Sequence, residues 1–186
     1  MHPLSTRLQG PVLIEPTVHR DARGFFLEVY RQDRLAQIGI TDIFVQDNHS
    51  RSALGVVRGM HFQEGMAKLV RCVRGAIFDV VVDIRVGSPT FGEWEGFELN
   101  DENCHQFYCP DGFAHGFCVL SDVADVLYKT STYWDPTREC GFAYDDTAVG
   151  IGWPTELELV VSAKDAAAPT LSEITASLSF QSGETA

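Results

Sequence analysis

From about residue 10 to about residue 153, Gly, Pro, Asn and Asp interrupt the chain roughly every eight to twelve residues, and apolar and polar positions alternate between them. A period of two sends successive side chains to opposite faces of a strand, so the pattern predicts an all-β sandwich or barrel. Strands are expected over Val12–Ile14, Phe25–Arg31, Ile43–Asn48, Val56–His61, Leu69–Val73, Ile77–Ile84, Gly92–Leu99, Gln106–Cys109, Gly116–Leu120 and Ala124–Thr130. In Ile77–Ile84 the face bearing Phe78, Val80, Val82 and Ile84 reads as core. The other face, with Asp79 and Asp83, reads as looking into a cavity or an interface, the aspartates pairing with Arg71, Arg74 or Arg85. Helix is scarce: Asp33–Ile38, stopped by Gly39, and Leu171–Leu178, entered through Pro169-Thr170, are expected at the periphery. The tail from about residue 180 to 186 is expected to fray.

Composition narrows the class. With 186 residues, 45% apolar and 22% charged, the chain suits one domain over 1–186 with a substantial core. The longest apolar run, Ile77–Ile84, carries two aspartates and is far too short to span a bilayer, so no membrane partner is expected. Met1-His2-Pro3-Leu4-Ser5 lacks a basic region followed by an apolar stretch, which points to the cytoplasm. Cys72, Cys104, Cys109, Cys118 and Cys140 form no CxxC pair and read as reduced, small buried hydrophobes. A net charge of −12 argues against nucleic acid. A small anionic ligand stays compatible, because the three lysines, Lys68, Lys129 and Lys164, lie in or beside the segments singled out below.

The chemistry is concentrated in Arg58-Gly59-Met60-His61-Phe62-Gln63, in Lys68, and in Pro110–Phe117. Basic groups threaded through apolar strands cost several kcal/mol to bury unless a partner or ligand satisfies them, so these segments mark a site for something anionic. Pro110-x-Gly112-x-x-His115 resembles the second motif of the cupin superfamily, whose histidine commonly binds metal. Where the first cupin motif has its ligands, this chain has Gln63 and Lys68. A divalent ion tolerates no ammonium in its shell, so neither metal nor another cofactor is expected. Strict alternation puts Arg58 and His61 on opposite faces, and a bulge at Gly59 would re-aim one of them.

Arg58–Gln63, Lys68–Gly75, Phe78–Arg85, Gly87–Gly92, Pro110–Phe117, Leu127–Lys129, Gly150–Pro154 and Ser162–Pro169, in that order and at nearly constant spacing, resemble dTDP-4-dehydrorhamnose 3,5-epimerases. The resemblance implies a metal-free cupin fold, a double-stranded β-helix or jelly-roll barrel. It also implies a homodimer with exchanged N-terminal strands, acting on a dTDP-4-keto-6-deoxyhexose in deoxysugar biosynthesis. It makes His61 the base, Asp165 the residue that holds it, Tyr128 the proton donor and Lys68 the stabiliser of the enolate. It places ligand contacts at Arg23, Glu28, Gln46, Asp47 and Asn48, and at Arg58, His115, Glu139 and Lys164. Trp134 stands where the family stacks a tyrosine on thymine.

Chemistry asks for these residue types independently. A proton next to the C4 ketone lies on the order of ten pKa units above a histidine near 6.5, roughly 14 kcal/mol uphill. A base alone does not suffice: a cation or donor must meet the developing O4 oxyanion in a water-poor cavity. An aspartate on the far imidazole nitrogen fixes the tautomer, and inversion needs a donor on the opposite face of the ring. Local readings compete. His61 and Tyr128 also read as core residues, Asp165 as a turn cap, Lys164 as a solvated lysine, and His115 as either a diphosphate contact or a group that orients another side chain.

Two departures from the family pattern concern specificity: a short Phe62–Ala67 connection between His61 and Lys68, and Trp134 itself. They keep open inversion at C3, at C5 or at both, and a different nucleotide-linked keto-sugar. A non-catalytic sugar-nucleotide binding module and a metal-dependent cupin oxygenase are the readings from other classes.

Overall fold

A computed structural model describes residues 1–180; the expected fraying of the tail concerns residues 181–186, which lie outside them. Thirteen strands are present among the described residues. They are β1 (His2–Leu4), β2 (Val12–Glu15), β3 (Val18–Asp21), β4 (Gly24–Leu27), β5 (Gln46–Ala53), β6 (Val57–Phe62), β7 (Lys68–Arg74), β8 (Ala76–Asp83), β9 (Trp94–Asn100), β10 (Gln106–Cys109), β11 (Phe113–Val119), β12 (Val123–Thr130) and β13 (Cys140–Gly141). The helices are short: α1 (Gln32–Ala36), α2 (Ala163–Ala166) and α3 (Leu171–Ile174), the last continuing as a 3-10 turn over Thr175–Ser177.

The strands form two antiparallel sheets, ordered β1-β2-β10-β7-β12-β5 and β13-β6-β11-β8-β9, with β3–β4 as a separate hairpin. The non-sequential order is that of a jelly roll, the cupin-type all-β fold. Between the sheets lies a core that includes Val70, Cys72, Phe107 and Cys109 from one side and Ile77, Val81, Phe113 and Phe117 from the other. A second cluster, including Val80, Val82, Ile84, Phe142, Trp153 and Leu171, covers the outer face of the five-stranded sheet with the C-terminal segment. A third seats Leu35 of α1, with Ile40, on Ile14 and Leu69 of the six-stranded sheet.

These layers explain where the expected elements shift. Both faces of β8 are buried, one between the sheets and one under the C-terminal segment, so β8 reads as a continuous apolar run rather than an amphipathic strand. Asp79 faces the interior and meets His115, not an arginine; Asp83 receives Arg85 two residues on, together with Ser88 and Thr90, and organises the turn that follows β8. Strand β5 begins at Gln46 and runs through the polar His49–Ala53, three residues later than the expected start, because its pairing with β12 does not depend on apolar side chains. The expected strand from Phe25 ends at Leu27, and β1, β3, β13 and α2 carry too few apolar positions to be read in advance.

Cysteine burial is also corrected at one position. Cys72, Cys104, Cys109 and Cys118 are buried, but Cys140, on the edge strand β13, is exposed. Burial pushes the Cys72 and Cys118 thiols up to about 11 and Cys109 to about 12, which keeps them neutral. No helix among the described residues is long and apolar enough to cross a membrane.

Candidate active site

A cavity of about 690 Å³ opens between the two sheets. Its geometry starts with a defect in β6. His61 pairs with His115 and Arg58 with Phe117, so β6 takes three steps where β11 takes two. Gly59 sits at φ +147°, and a Cβ there would lie 2.6 Å from the Gly116 Cα, so the close approach requires glycine. The bulge turns Arg58 and His61 onto the same cavity, against strict alternation.

His61 Nε2 lies 2.7 Å from Oδ1 of Asp165, which is 6% exposed. Asp165 is the third residue of α2; Ser162 caps that turn by accepting from the Asp165 backbone N–H at 3.0 Å, so the Asp165 carboxylate is left for the histidine. The pair fixes the imidazole orientation and leaves Nδ1 as the ring nitrogen without a protein partner among the described residues. Lys68 opens β7 and donates to the His61 carbonyl at 3.1 Å. Burial pushes its ammonium below the ordinary lysine value, against the opposing pull of Cys109, Glu139 and Asp79. Tyr128 enters from β12; burial first, then the Glu139 charge, raises its phenol above the usual value, with Arg58 acting the other way. The phenol therefore holds its proton, and among the described residues it makes no hydrogen bond to the protein.

The remaining groups form supports around this centre. His115 Nε2 lies 3.0 and 2.9 Å from the two oxygens of buried Asp79, an arrangement in which Asp79 orients the imidazole. Arg58 is held by Nε donating to Ser52 Oγ at 3.0 Å. Gln46 donates to Asn48 Oδ1 at 2.9 Å and accepts from the Trp134 backbone N–H at 3.0 Å, so it backs the cavity without lining it. Trp134 Nε1 donates to Glu139 Oε1 at 3.0 Å, and Lys164 donates closely to Glu139 Oε2. Burial works to raise the Glu139 carboxyl, but the bonds from Lys164 and Trp134 and the nearby His61 outweigh it and hold it below its usual value.

Asn48, Arg58, His61, Lys68, His115, Tyr128, Trp134, Glu139, Lys164 and Asp165 all line the one cavity. Four expected contacts do not line it within this chain: Gln46, which backs it, and Asp47, Arg23 and Glu28. Asp47 lies between Gln46 and Asn48, so the pleat turns it away, 2.7 Å from Lys129. Arg23 pairs with Asp21 on the β3–β4 hairpin, and Glu28, just beyond that hairpin, lies 3.7 Å from Arg31. Sequence reading missed Ser50, Ser52 and Thr130, and it gave Asp79 an arginine for a partner where the structure has His115. Ser50 and Ser52 continue the period of two from Gln46 and Asn48, a signal hidden by the absence of apolar residues. Asn48 Nδ2, Ser50 Oγ and Thr130 Oγ1 are enclosed with no protein partner among the described residues, which leaves polar capacity beside Tyr128. Among the described residues no three His, Cys, Asp or Glu side chains converge as a metal set.

A base candidate, a cation and a protonated phenol thus face one cavity, and the chain as a whole is similar to proteins of one known family. The sequence model of dTDP-4-dehydrorhamnose 3,5-epimerase matches residues 5–173. The curated dTDP-4-dehydrorhamnose 3,5-epimerase of Salmonella typhimurium is 48% identical over 174 residues, covering 91% of this chain and 95% of that protein. The crystal structure of a dTDP-6-deoxy-D-glucose-3,5-epimerase from Legionella pneumophila, in complex with dTDP-4-keto-L-rhamnose, superposes with a TM-score of 0.94 at 46% identity, covering 98% of each chain. A 3'-monoepimerase from Streptomyces bikiniensis, in complex with dTDP-quinovose, gives 0.88 at 39% identity, covering 94% of this chain and 89% of that one. The chain belongs to the dTDP-4-dehydrorhamnose 3,5-epimerase family.

Proposed function

We propose that this protein epimerises a dTDP-4-keto-6-deoxyhexose by proton removal and return next to the ketone. The observation that carries the reading is the origin of the two proton-transfer groups: His61 stands on β6 of one sheet and Tyr128 on β12 of the other, facing the cavity from opposite walls. Inversion at carbon requires that a proton leave one face of the sugar ring and return to the other. His61 takes the proton, with Asp165 favouring the imidazolium that forms. Lys68, also at the cavity wall, meets the O4 oxyanion, where desolvation strengthens the interaction. Tyr128, kept protonated, delivers the new hydrogen. Arg58 suits the diphosphate and Trp134 the face of the base, with Asn48, His115, Glu139 and Lys164 around them.

Assembly completes the reading. The β3–β4 hairpin pairs with neither sheet among the described residues, and it displays Phe25 at 54% and Phe26 at 70% exposure. A lone hairpin is marginal in water, so its natural support is a second copy of the chain. Exchange of N-terminal strands in a homodimer then carries Arg23 and Glu28 toward the partner's cavity. The whole chain acts as one cytoplasmic domain, and the reaction uses neither metal nor redox cofactor.

The experiment is solvent deuterium incorporation at C3 and C5 of dTDP-4-keto-6-deoxyglucose, with His61→Ala as control. Wash-in that depends on His61 supports the reading; no exchange with any nucleotide-linked keto-sugar overturns it. Exchange at one carbon alone would favour the second reading, a monoepimerase, which Trp134 and the likeness to the S. bikiniensis monoepimerase motivate. One equivalent of bound Fe, Mn or Zn per chain would favour an oxygenase.

A further inference from the structure

Two links run in parallel from the edge of the five-stranded sheet to α2. One is His61–Asp165 at 2.7 Å. The other is Glu139–Lys164, and the two pairs are neighbours at both ends: Glu139 precedes β13, whose Gly141 pairs with His61, and Lys164 precedes Asp165. Glu139 has its other oxygen on the indole N–H of Trp134. Both oxygens of one carboxylate are therefore engaged, one by an aromatic platform at the cavity mouth and one by the helical turn that carries Asp165.

Stability does not account for this arrangement. The Lys164 side chain is 63% exposed, and solvent screening leaves an ion pair in that setting a small contribution to stability. α2 has only four residues, too short to fix its own orientation, so the angle at which it offers Asp165 to His61 depends on such ties. The indole matters too, because its N–H reaches Glu139 Oε1 at 3.0 Å.

We propose that Glu139 is a positioning residue that ties the Trp134 platform, through Lys164, to the turn carrying Asp165, so that a nucleobase seated on Trp134 steadies the His61 imidazole. The inference rests on the reading of His61 as base and Trp134 as base platform. Occupancy at one end of the cavity then acts on proton transfer at the other through three side chains and one helical turn.

The test uses the full-length protein and dTDP as probe. In ¹⁵N-histidine NMR spectra the His61 ring signals of the wild type shift on saturation with dTDP. In Glu139→Ala the shift at dTDP saturation is lost, and kcat falls about tenfold to a hundredfold, as expected when a reacting group is misplaced. Trp134→Phe, which keeps the stacking face, and Lys164→Met each cut one arm. Their effects on kcat combine less than multiplicatively in the double variant, because either cut opens the same link. Glu139→Gln, which retains the acceptor for the indole, recovers part of the response. A His61 response to dTDP in Glu139→Ala equal to that of the wild type, or full multiplicativity of the two arms, overturns the inference. Absence of His61-dependent deuterium wash-in in the wild type would instead overturn the underlying reading.

Discussion

Replacing Asp165 by Asn removes one charge and almost no volume, so it isolates the electrostatic part of the His61–Asp165 pair. The partners are 2.7 Å apart, and the Asp165 side chain is 7% exposed. That burial decides which screening applies. For charge centres about 4 Å apart, the attraction between imidazolium and carboxylate is ~1 kcal/mol in bulk water and ~4 kcal/mol at an effective dielectric of about 20. The second value fits an enclosed pair and corresponds to roughly a thousandfold in rate at about 1.4 kcal/mol per tenfold. The amide also donates to Nε2 where the carboxylate accepted, which moves the ring proton to Nδ1 and blocks the base position. Expected, then, is a fall in kcat of about 10³ in a deuterium wash-in assay, with dTDP affinity and the thermal midpoint close to wild type. A loss below about fivefold would mean that the pair is screened as if in water, and it would refute the role given to Asp165.

Lys68→Met is expected to lower kcat about 10²–10³-fold, the range for losing one oxyanion donor, as measured by single-turnover wash-in. Because burial lowers the folded Lys68 value, the ammonium is lost before pH reaches the ordinary lysine value of about 10.4, so wild-type kcat falls on the alkaline side below that pH; Lys68→Arg removes this limb. Tyr128→Phe should keep wash-in at the carbon that His61 serves while epimerised product falls about 10²–10⁴-fold, a separation visible by NMR of the product pool. Gly59→Ala puts a methyl 2.6 Å from the Gly116 Cα at a backbone angle unsuited to a side chain, so a loss of more than about 2 kcal/mol is expected, read as a drop of at least about 4 °C in Tm.

The sequence by itself determined the fold class and the family. Period-two alternation with regular turn residues specifies strands because side-chain direction in a strand depends only on position parity, and that rule located β6, β7, β8, β10 and β12 closely. The order and spacing of eight segments, from Arg58–Gln63 to Ser162–Pro169, carried the family resemblance. Rules of parity failed where two chains of backbone meet. Arg58 and His61 share a cavity through the bulge that Gly59 had suggested, but its register depends on Gly59 and Gly116 letting β6 and β11 approach within a distance no Cβ allows. Asp79 belongs to His115, 36 residues away, because β8 and β11 pair; charge alone had suggested an arginine. The polar run Gln46–Ser52 became a strand because β12 supplied its hydrogen bonds, and α2 formed around Asp165 with four residues and a single serine cap. Sequence sets what each residue offers locally; the partner that satisfies a buried polar group is set by which strands come to lie side by side, and only the tertiary structure decides that.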